Sequence, residues 1–294
     1  QYMISIKEQA VISGFADEYS PIFDEQLAAL NRLGVSHIEL RGIDNVNISD
    51  LTGEKLREVR EKLSAAGIKV SSLGSPIGKI GIEDNFAVHM DKLKRTLEIQ
   101  KELSAPYLRM FSFYLPQNAD PAAYRGKVMD RLSAMAEEAK RWDAVLLHEN
   151  EKAIYGDTAP RCLDIMEQLG SENLRAVFDF ANFLEVGQPT IEAFQRLRPY
   201  IEYVHIKDAS KEKQIVPAGH GIGQVEEILG RLLGSGWTGF LSLEPHLTDF
   251  AGLSALEQDP QKRRSALTQP EAWELALSSL REILARLDGK EVQA

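Results

Sequence analysis

Short apolar runs alternate with longer amphipathic stretches from one end of the chain to the other. The apolar runs read as strands at 10–14, 36–40, 68–73, 107–111, 144–149, 174–179, 201–206 and 239–244. Several are almost continuously apolar, as strands covered on both faces are. Between and after them, helical spacing appears at 21–33, 52–66, 86–103, 121–142, 158–169, 190–197, 225–233 and 271–287. In the second of these, Leu56, Val59 and Leu63 recur three and four residues apart and so share a face. Gly67 then stands where a helix end wants a left-handed residue, and Pro21 and Pro121 suit a first helical turn. Eight βα units in unbroken succession predict a single-domain α/β protein, a (β/α)8 TIM barrel. A doubly wound open sheet competes, but strand count, chain length and the lack of a long linker favour the barrel. One irregular polar stretch, about 245–268 and containing Asp259-Pro260, follows the last strand and is expected at the barrel mouth.

Composition narrows the function. The 294 residues carry 34 Lys and Arg against 44 Asp and Glu, a formal net charge of −10, with no dense basic cluster. That balance argues against a binder of nucleic-acid phosphates. No apolar run approaches the roughly 20 residues that cross a bilayer, so no membrane partner is expected. Cys162 is the single cysteine; it cannot form a disulfide within the chain, and such sparing use fits a reducing compartment. No basic region followed by an apolar stretch opens the chain, so no intact signal peptide is visible. A cytoplasmic location is the expectation.

In a barrel, reactive side chains gather at the C-terminal strand ends. The last four strands end in Leu147-His148-Glu149-Asn150, Phe178-Asp179-Phe180, Val204-His205-Ile206-Lys207-Asp208 and Leu243-Glu244-Pro245-His246. Glu149, Asp179, His205 and Glu244 therefore stand at nearly one level. Three carboxylates and an imidazole form a hard O/N set suited to one divalent ion, Mn²⁺, Mg²⁺, Co²⁺ or Zn²⁺. Ion pairs or helix N-caps at the strand-to-helix turns are the competing explanation. Alternation along a strand turns Glu149 to the same side as Leu147 and leaves His148 facing the helices. It also puts Lys207 one step above His205, with Asp208 turned away in a structural position.

These residues resemble the xylose isomerase-like barrel superfamily, in its sugar phosphate isomerase/epimerase branch. The matching pieces are Ile12-Ser13-Gly14-Phe15, His37-Ile38-Glu39-Leu40-Arg41, His148-Glu149-Asn150, Phe178-Asp179-Phe180-Ala181-Asn182, Val204-His205-Ile206-Lys207-Asp208 and Leu241-Ser242-Leu243-Glu244-Pro245, in order along nearly the whole chain. The resemblance implies one divalent metal held by Glu149, Asp179, His205 and Glu244, a sugar or polyol substrate, and association of like chains into homo-oligomers. It also implies that Glu149 and Glu244 act as acid and base on opposite faces of the substrate. One takes a proton from the carbon beside a carbonyl, giving a cis-enediolate, and the other returns one. Loss of a hydroxyl after the same first step gives the alternative, a dehydratase of a keto-inositol or related polyol. A sugar-binding barrel without turnover is the non-enzymatic alternative, and it has no need of opposed glutamates.

Two positions depart from the 3-epimerase pattern: Asn182 stands where those enzymes carry His, and Lys211 where they carry Arg. Both positions touch substrate oxygens in that group, so free-ketohexose specificity is not carried over. The apurinic endonucleases of the superfamily need extra histidines for a trinuclear zinc site; the third and fourth strands end in Ser71-Ser72-Leu73 and Met110-Phe111-Ser112, without one.

Further residues carry two readings each. Glu39 and Arg41 share parity on strand two and either line the pocket or pair with each other at the surface. Arg109 reaches substrate or pairs with a neighbouring acid, and Lys207 polarises a substrate oxygen or holds a carboxylate. The glycine-rich 217–223 segment, with His220 as a possible pocket residue, makes a tight turn or binds phosphate at a helix N-terminus; the turn is favoured. Phe111, Phe113, Tyr114 and Tyr155 are candidate pocket walls.

Overall fold

The computed structural model describes residues 5–253 and 266–291. Eight parallel strands form the sheet: β1 (Ala10–Gly14), β2 (His37–Leu40), β3 (Lys69–Leu73), β4 (Tyr107–Met110), β5 (Val145–Glu149), β6 (Leu174–Asp179), β7 (Ile201–Ile206) and β8 (Gly239–Leu243). They are hydrogen-bonded in the order β1, β8, β7, β6, β5, β4, β3, β2. The end strands β1 and β2 are spatial neighbours, so the sheet curls into a nearly closed (β/α)8 barrel and the open-sheet alternative falls. Among the described residues, eight helices of eight residues or more wrap it: α1 (Phe23–Leu33), α2 (Gly53–Ala66), α3 (Phe86–Glu102), α4 (Pro121–Arg141), α5 (Ala159–Leu169), α6 (Thr190–Leu197), α7 (Val225–Leu233) and α8 (Gln269–Glu291).

The local signals work as their chemistry requires. Leu56, Val59 and Leu63 are all buried on α2. Gly67 ends that helix at φ +66°, its N–H returning to the Leu63 and Ser64 carbonyls. Pro121 opens α4 beneath an Asp120 cap. Pro21 does not open α1: the helix starts at Phe23, whose N–H donates to Asp44 Oδ1 at 2.8 Å. That carboxylate satisfies a terminal amide from outside the helix.

Parity along the strands splits the core in two. Leu147, Val177 and Tyr203 pack together in a small cluster. Leu146, Phe178 and Val204, one residue out of step, join the large cluster that the helices complete.

Short elements at the strand ends were not expected from patterning. A six-residue helix, Phe180–Glu185, follows β6 without a loop, and two-residue ribbons pair Gly42–Ile43 with Val46–Asn47 and Asp208–Ala209 with Ile215–Val216. Within the expected mouth segment, residues 254–265, including Asp259-Pro260, lie outside the described residues. Of the rest, Phe250 stacks on His246 at 5.6 Å between ring centroids.

Candidate metal centre

The sheet register brings the four strand ends together. Asp179 of β6 lies beside His205 of β7, and His205 beside Ser242 of β8, two residues before Glu244. Glu149 closes β5, next to β6. As a result Glu149, Asp179, His205 and Glu244, all buried, each offer one ligand atom within 4.8 Å of the others. Asp179 is aimed by its own helix cap: Oδ1 accepts the Asn182 N–H at 2.8 Å, which leaves Oδ2 directed inward. The N-cap and metal-ligand readings of this residue are thus compatible.

Oδ2 is buried with no hydrogen bond; Lys207 Nζ attracts it from 3.2 Å without hydrogen-bond alignment. An orphaned carboxylate oxygen at this depth is costly. With hard donors on three further sides, the residues present fit a divalent cation.

Fixed cations surround the acids. Lys207 Nζ donates to Glu244 Oε1 at 2.5 Å. Arg109 Nη1 donates to Glu149 Oε2 at 3.2 Å and lies 3.6 Å from Glu244 Oε2, while its Nη2 and Nε are held by the Gly74 and Ser75 carbonyls. Arg41 clasps Asp17 through Nε and Nη2, at 2.8 and 3.0 Å, and reaches Glu18 and Glu244. His205 Nδ1 lies 2.9 Å from Glu149 Oε1, and Nε2 lies 2.5 Å from Glu39 Oε1.

The titrations follow from burial against these partners. Burial raises the Glu244 carboxyl, but Lys207, His246, His205 and Arg41 reverse this and hold it well below the usual range. Burial likewise opposes ionised Glu149, yet His205 and Arg109 bring its pKa down to about 2. At Asp179 burial wins over Lys207, with Glu149 and Glu244 adding to it, and the carboxyl is pushed up to about 7. For His205, burial disfavours the imidazolium, but Glu149 and Glu39 outweigh it and keep the ring's pKa well above its ordinary value. A divalent cation held by this group would have to displace a proton from His205, and its binding would weaken as pH falls.

A cleft opens over the four residues, with Lys79, Arg109, Phe111, Asn182, Lys207 and His246 on its walls. Asn182 Nδ2 donates to the Asn150 carbonyl at 2.9 Å and to Glu149 Oε1 at 3.3 Å. Arg109 and Lys207 both line the cleft and are paired to its acids. Arg41 and Glu39 are not a surface pair: both are buried, Arg41 is committed to Asp17, Glu18 and Glu244, and Glu39 to His205 and Tyr203. Lys211 and His220 are exposed. Neither is on this cleft; Lys211 borders a separate groove beside Gln188 and Gln224. Of the four candidate aromatic walls only Phe111 faces the cleft. Phe113 packs in the core, and so does Tyr155, whose hydroxyl donates to Asp164 at 2.6 Å.

The glycine-rich segment already holds an anion, its own chain's Asp208. The amides of Gly219, Gly221 and Gly223 donate to that carboxylate at 3.0, 3.1 and 2.9 Å. A Cβ on Gly221 or Gly223 would meet Asp208 Oδ1 at 2.5 or 2.6 Å, so the glycines serve this turn. Asp17, Glu18 and His246 escaped the sequence reading because they lie past the strand ends, Asp17 and Glu18 in a 3-10 turn after β1 and His246 in the loop after β8. The one available hint was His246, two residues past a predicted ligand.

A buried acid-and-imidazole cluster at the C-terminal mouth of a parallel barrel defines a TIM-barrel protein with a possible metal site. The chain belongs to the xylose isomerase-like TIM barrel family, whose profile matches residues 27–283. It is 28% identical over 86 residues to a 3-dehydroshikimate dehydratase of Bacillus anthracis, a match spanning 29% of this chain and 31% of that protein. Its fold is similar to that of L-ribulose 3-epimerase, with a TM-score of 0.74 at 20% identity over 97% of each chain. It is also similar to a xylose isomerase-like TIM barrel protein from Mycobacterium smegmatis in complex with magnesium, with a TM-score of 0.70 at 16% identity over 97% of this chain and 100% of that one. Among the described residues, no helix is long and apolar enough to cross a membrane.

Proposed function

We propose that this chain is a divalent-metal-dependent sugar isomerase or epimerase that moves a proton beside a carbonyl. The observation that carries the reading is the pairing of two buried, ionised glutamates, Glu149 and Glu244, with Asp179 and His205 within a single 4.8 Å group beneath a polar cleft. A divalent cation held by these four residues supplies Lewis-acid stabilisation of the negative charge that develops on substrate oxygens, worth several kcal/mol as an order of magnitude.

The chain's own groups account for the rest. Both glutamates are ionised at neutral pH, so either is competent to take the proton. Lys207, bonded to Glu244 Oε1, keeps that carboxylate ionised and so competent as a base. Acid/base help of this kind contributes about 10²–10⁴-fold in rate. Asn182, fixed by the Asn150 carbonyl, and Arg109, fixed by two strand-end carbonyls, orient hydroxyl groups. The buried Phe111 ring carries Lys79 Nζ at 4.4 Å and Arg109 Cζ at 4.9 Å from its centroid and so steadies both cations at the cleft wall.

A dehydratase is the second reading, favoured by the sequence match to 3-dehydroshikimate dehydratase. The same carbon would lose its proton and the neighbouring carbon its hydroxyl, leaving as water. Incubation in D₂O with Mg²⁺ or Mn²⁺ and a panel of ketoses, keto-inositols and hydroxylated keto acids tests both. Wash-in of deuterium beside the carbonyl is the expected result. A new C=C bond with release of water identifies the dehydratase, and neither event with any substrate sinks the enzymatic reading.

A further inference from the structure

Glu39, at the end of β2, is buried to 1% exposure, does not line the cleft, and pairs with no lysine or arginine among the described residues. A carboxylate so placed persists only through its partners. Tyr203 Oη donates to its Oε2 at 3.2 Å, and His205 Nε2 lies 2.5 and 3.0 Å from its two oxygens. Because a carboxylate only accepts, both ring nitrogens carry protons while no cation is bound, and Nε2, held by Glu39, is the one that keeps its proton when Nδ1 gives its own up to a cation. Nδ1, the other ring nitrogen, is thereby turned toward Glu149 Oε1 at 2.9 Å and Asp179 Oδ2 at 3.9 Å.

The surroundings hold this arrangement. Phe15 and Tyr203 stand edge-on to the imidazole, with ring centroids 5.2 and 5.7 Å away, and leave it little room to flip. Ser71 Oγ lies 2.6 Å from Ser13 Oγ, 2.9 Å from Tyr203 Oη and 3.2 Å from the Ile38 carbonyl; with the Tyr203 proton on Glu39, Ser13 donates to Ser71 and Ser71 to Tyr203. A hydrogen-bonded chain anchored on β1, β2 and β3 thus ends at Nε2.

We infer that Glu39 is a positioning residue: it fixes His205 as the Nε2–H tautomer and so presents Nδ1 to a divalent cation shared with Glu149, Asp179 and Glu244. The inference rests on the metal reading above and replaces the substrate contact expected for Glu39 from sequence. Partners in this outer position are worth about 10–100-fold in metal affinity.

Titration of metal-stripped protein with Mn²⁺ and with Zn²⁺, in competition with a chromophoric chelator, reads this without turnover. Glu39→Gln keeps the shape but not the charge, and its amide can offer N–H to Nε2, which favours the wrong tautomer. Glu39→Gln and Glu39→Ala are expected to bind 10–100-fold more weakly; Tyr203→Phe, which removes only the second bond to Glu39, falls by a smaller factor. Nitrogen NMR of the zinc-loaded parent shows the Nε2–H form of His205. Thermal unfolding of the metal-free variants checks that they fold, and Tyr203→Phe carries the test if neither Glu39 variant does. A Glu39→Gln affinity within threefold of the parent, or an Nδ1–H ring, overturns the role of Glu39 alone. Absence of cation uptake by the parent overturns the metal reading with it.

Discussion

Lys207→Met probes how three carboxylates are kept together before a cation arrives. The side chain is buried and its ammonium bridges Glu244 at 2.5 Å and Asp179 at 3.2 Å. Methionine fills the space of the stem but removes the charge. Unit charges about 4 Å apart interact by ~4 kcal/mol at an effective dielectric of ~20, and breaking a buried pair by deleting one partner costs about 3–5 kcal/mol. At roughly 2–3 °C per kcal/mol for a chain this long, metal-free Lys207→Met should melt about 6–15 °C below the parent.

The deficit also depends on pH. Asp179 can relieve the lost charge by binding a proton, since its carboxyl already sits near 7 and Lys207 is what restrains it from rising further. A carboxyl raised above its unfolded value contributes stability that is present at low pH and lost as pH climbs through the folded pKa. In the parent that loss is complete soon above pH 7; in the variant it continues upward, so the gap widens between pH 7 and 9. Added Mg²⁺ should narrow it, because a cation replaces the missing charge. Circular-dichroism melts of stripped and loaded protein at pH 6.5, 7.5 and 8.5 measure all three effects. A metal-free variant melting within 2 °C of the parent at every pH would refute the charge-balance argument.

Two further predictions concern chemistry and backbone. Glu149→Gln and Glu244→Gln should each lower solvent-deuterium exchange at least 10²-fold with a native circular-dichroism spectrum; near-parental exchange in both variants removes their acid/base roles. Gly78→Ala should destabilise by about 3 kcal/mol or more, since φ there is +87° and a Cβ would stand 2.0 Å from the Phe111 carbonyl oxygen. Urea unfolding reads this change, and a midpoint equal to the parent's would show that the turn can relax.

The barrel was legible because its signals are local and repeated. Leu56, Val59 and Leu63 state a helix face within eight residues, and the strands of this barrel read as apolar runs with boundaries that shift by at most one residue. Glu149, Asp179, His205 and Glu244 were legible for a related reason: each sits at a strand end, where topology alone sets the level. What stayed hidden depends on partners far along the chain. Strand parity puts Glu39 and Arg41 together, yet their partners are His205 and Asp17, across the barrel and in a short 3-10 turn after β1. Lys211 was counted from His205 by number, but the Asp208–Ala209 ribbon leads the chain away from the cleft. The glycine-rich loop allows a turn or a phosphate site, with the turn favoured, and Asp208, a residue that parity marks as structural, fills it as the turn requires.

Everything proposed for the cleft requires four strand ends to share one cation. Crystals grown with Mn²⁺ and measured at its absorption edge test this directly through the anomalous map. A single strong peak at bonding distance from Glu149, Asp179, His205 Nδ1 and Glu244, absent in Asp179→Ala, is the expected result. A map with no peak among these residues, while Lys207 still bridges Asp179 and Glu244 undisturbed, would contradict it.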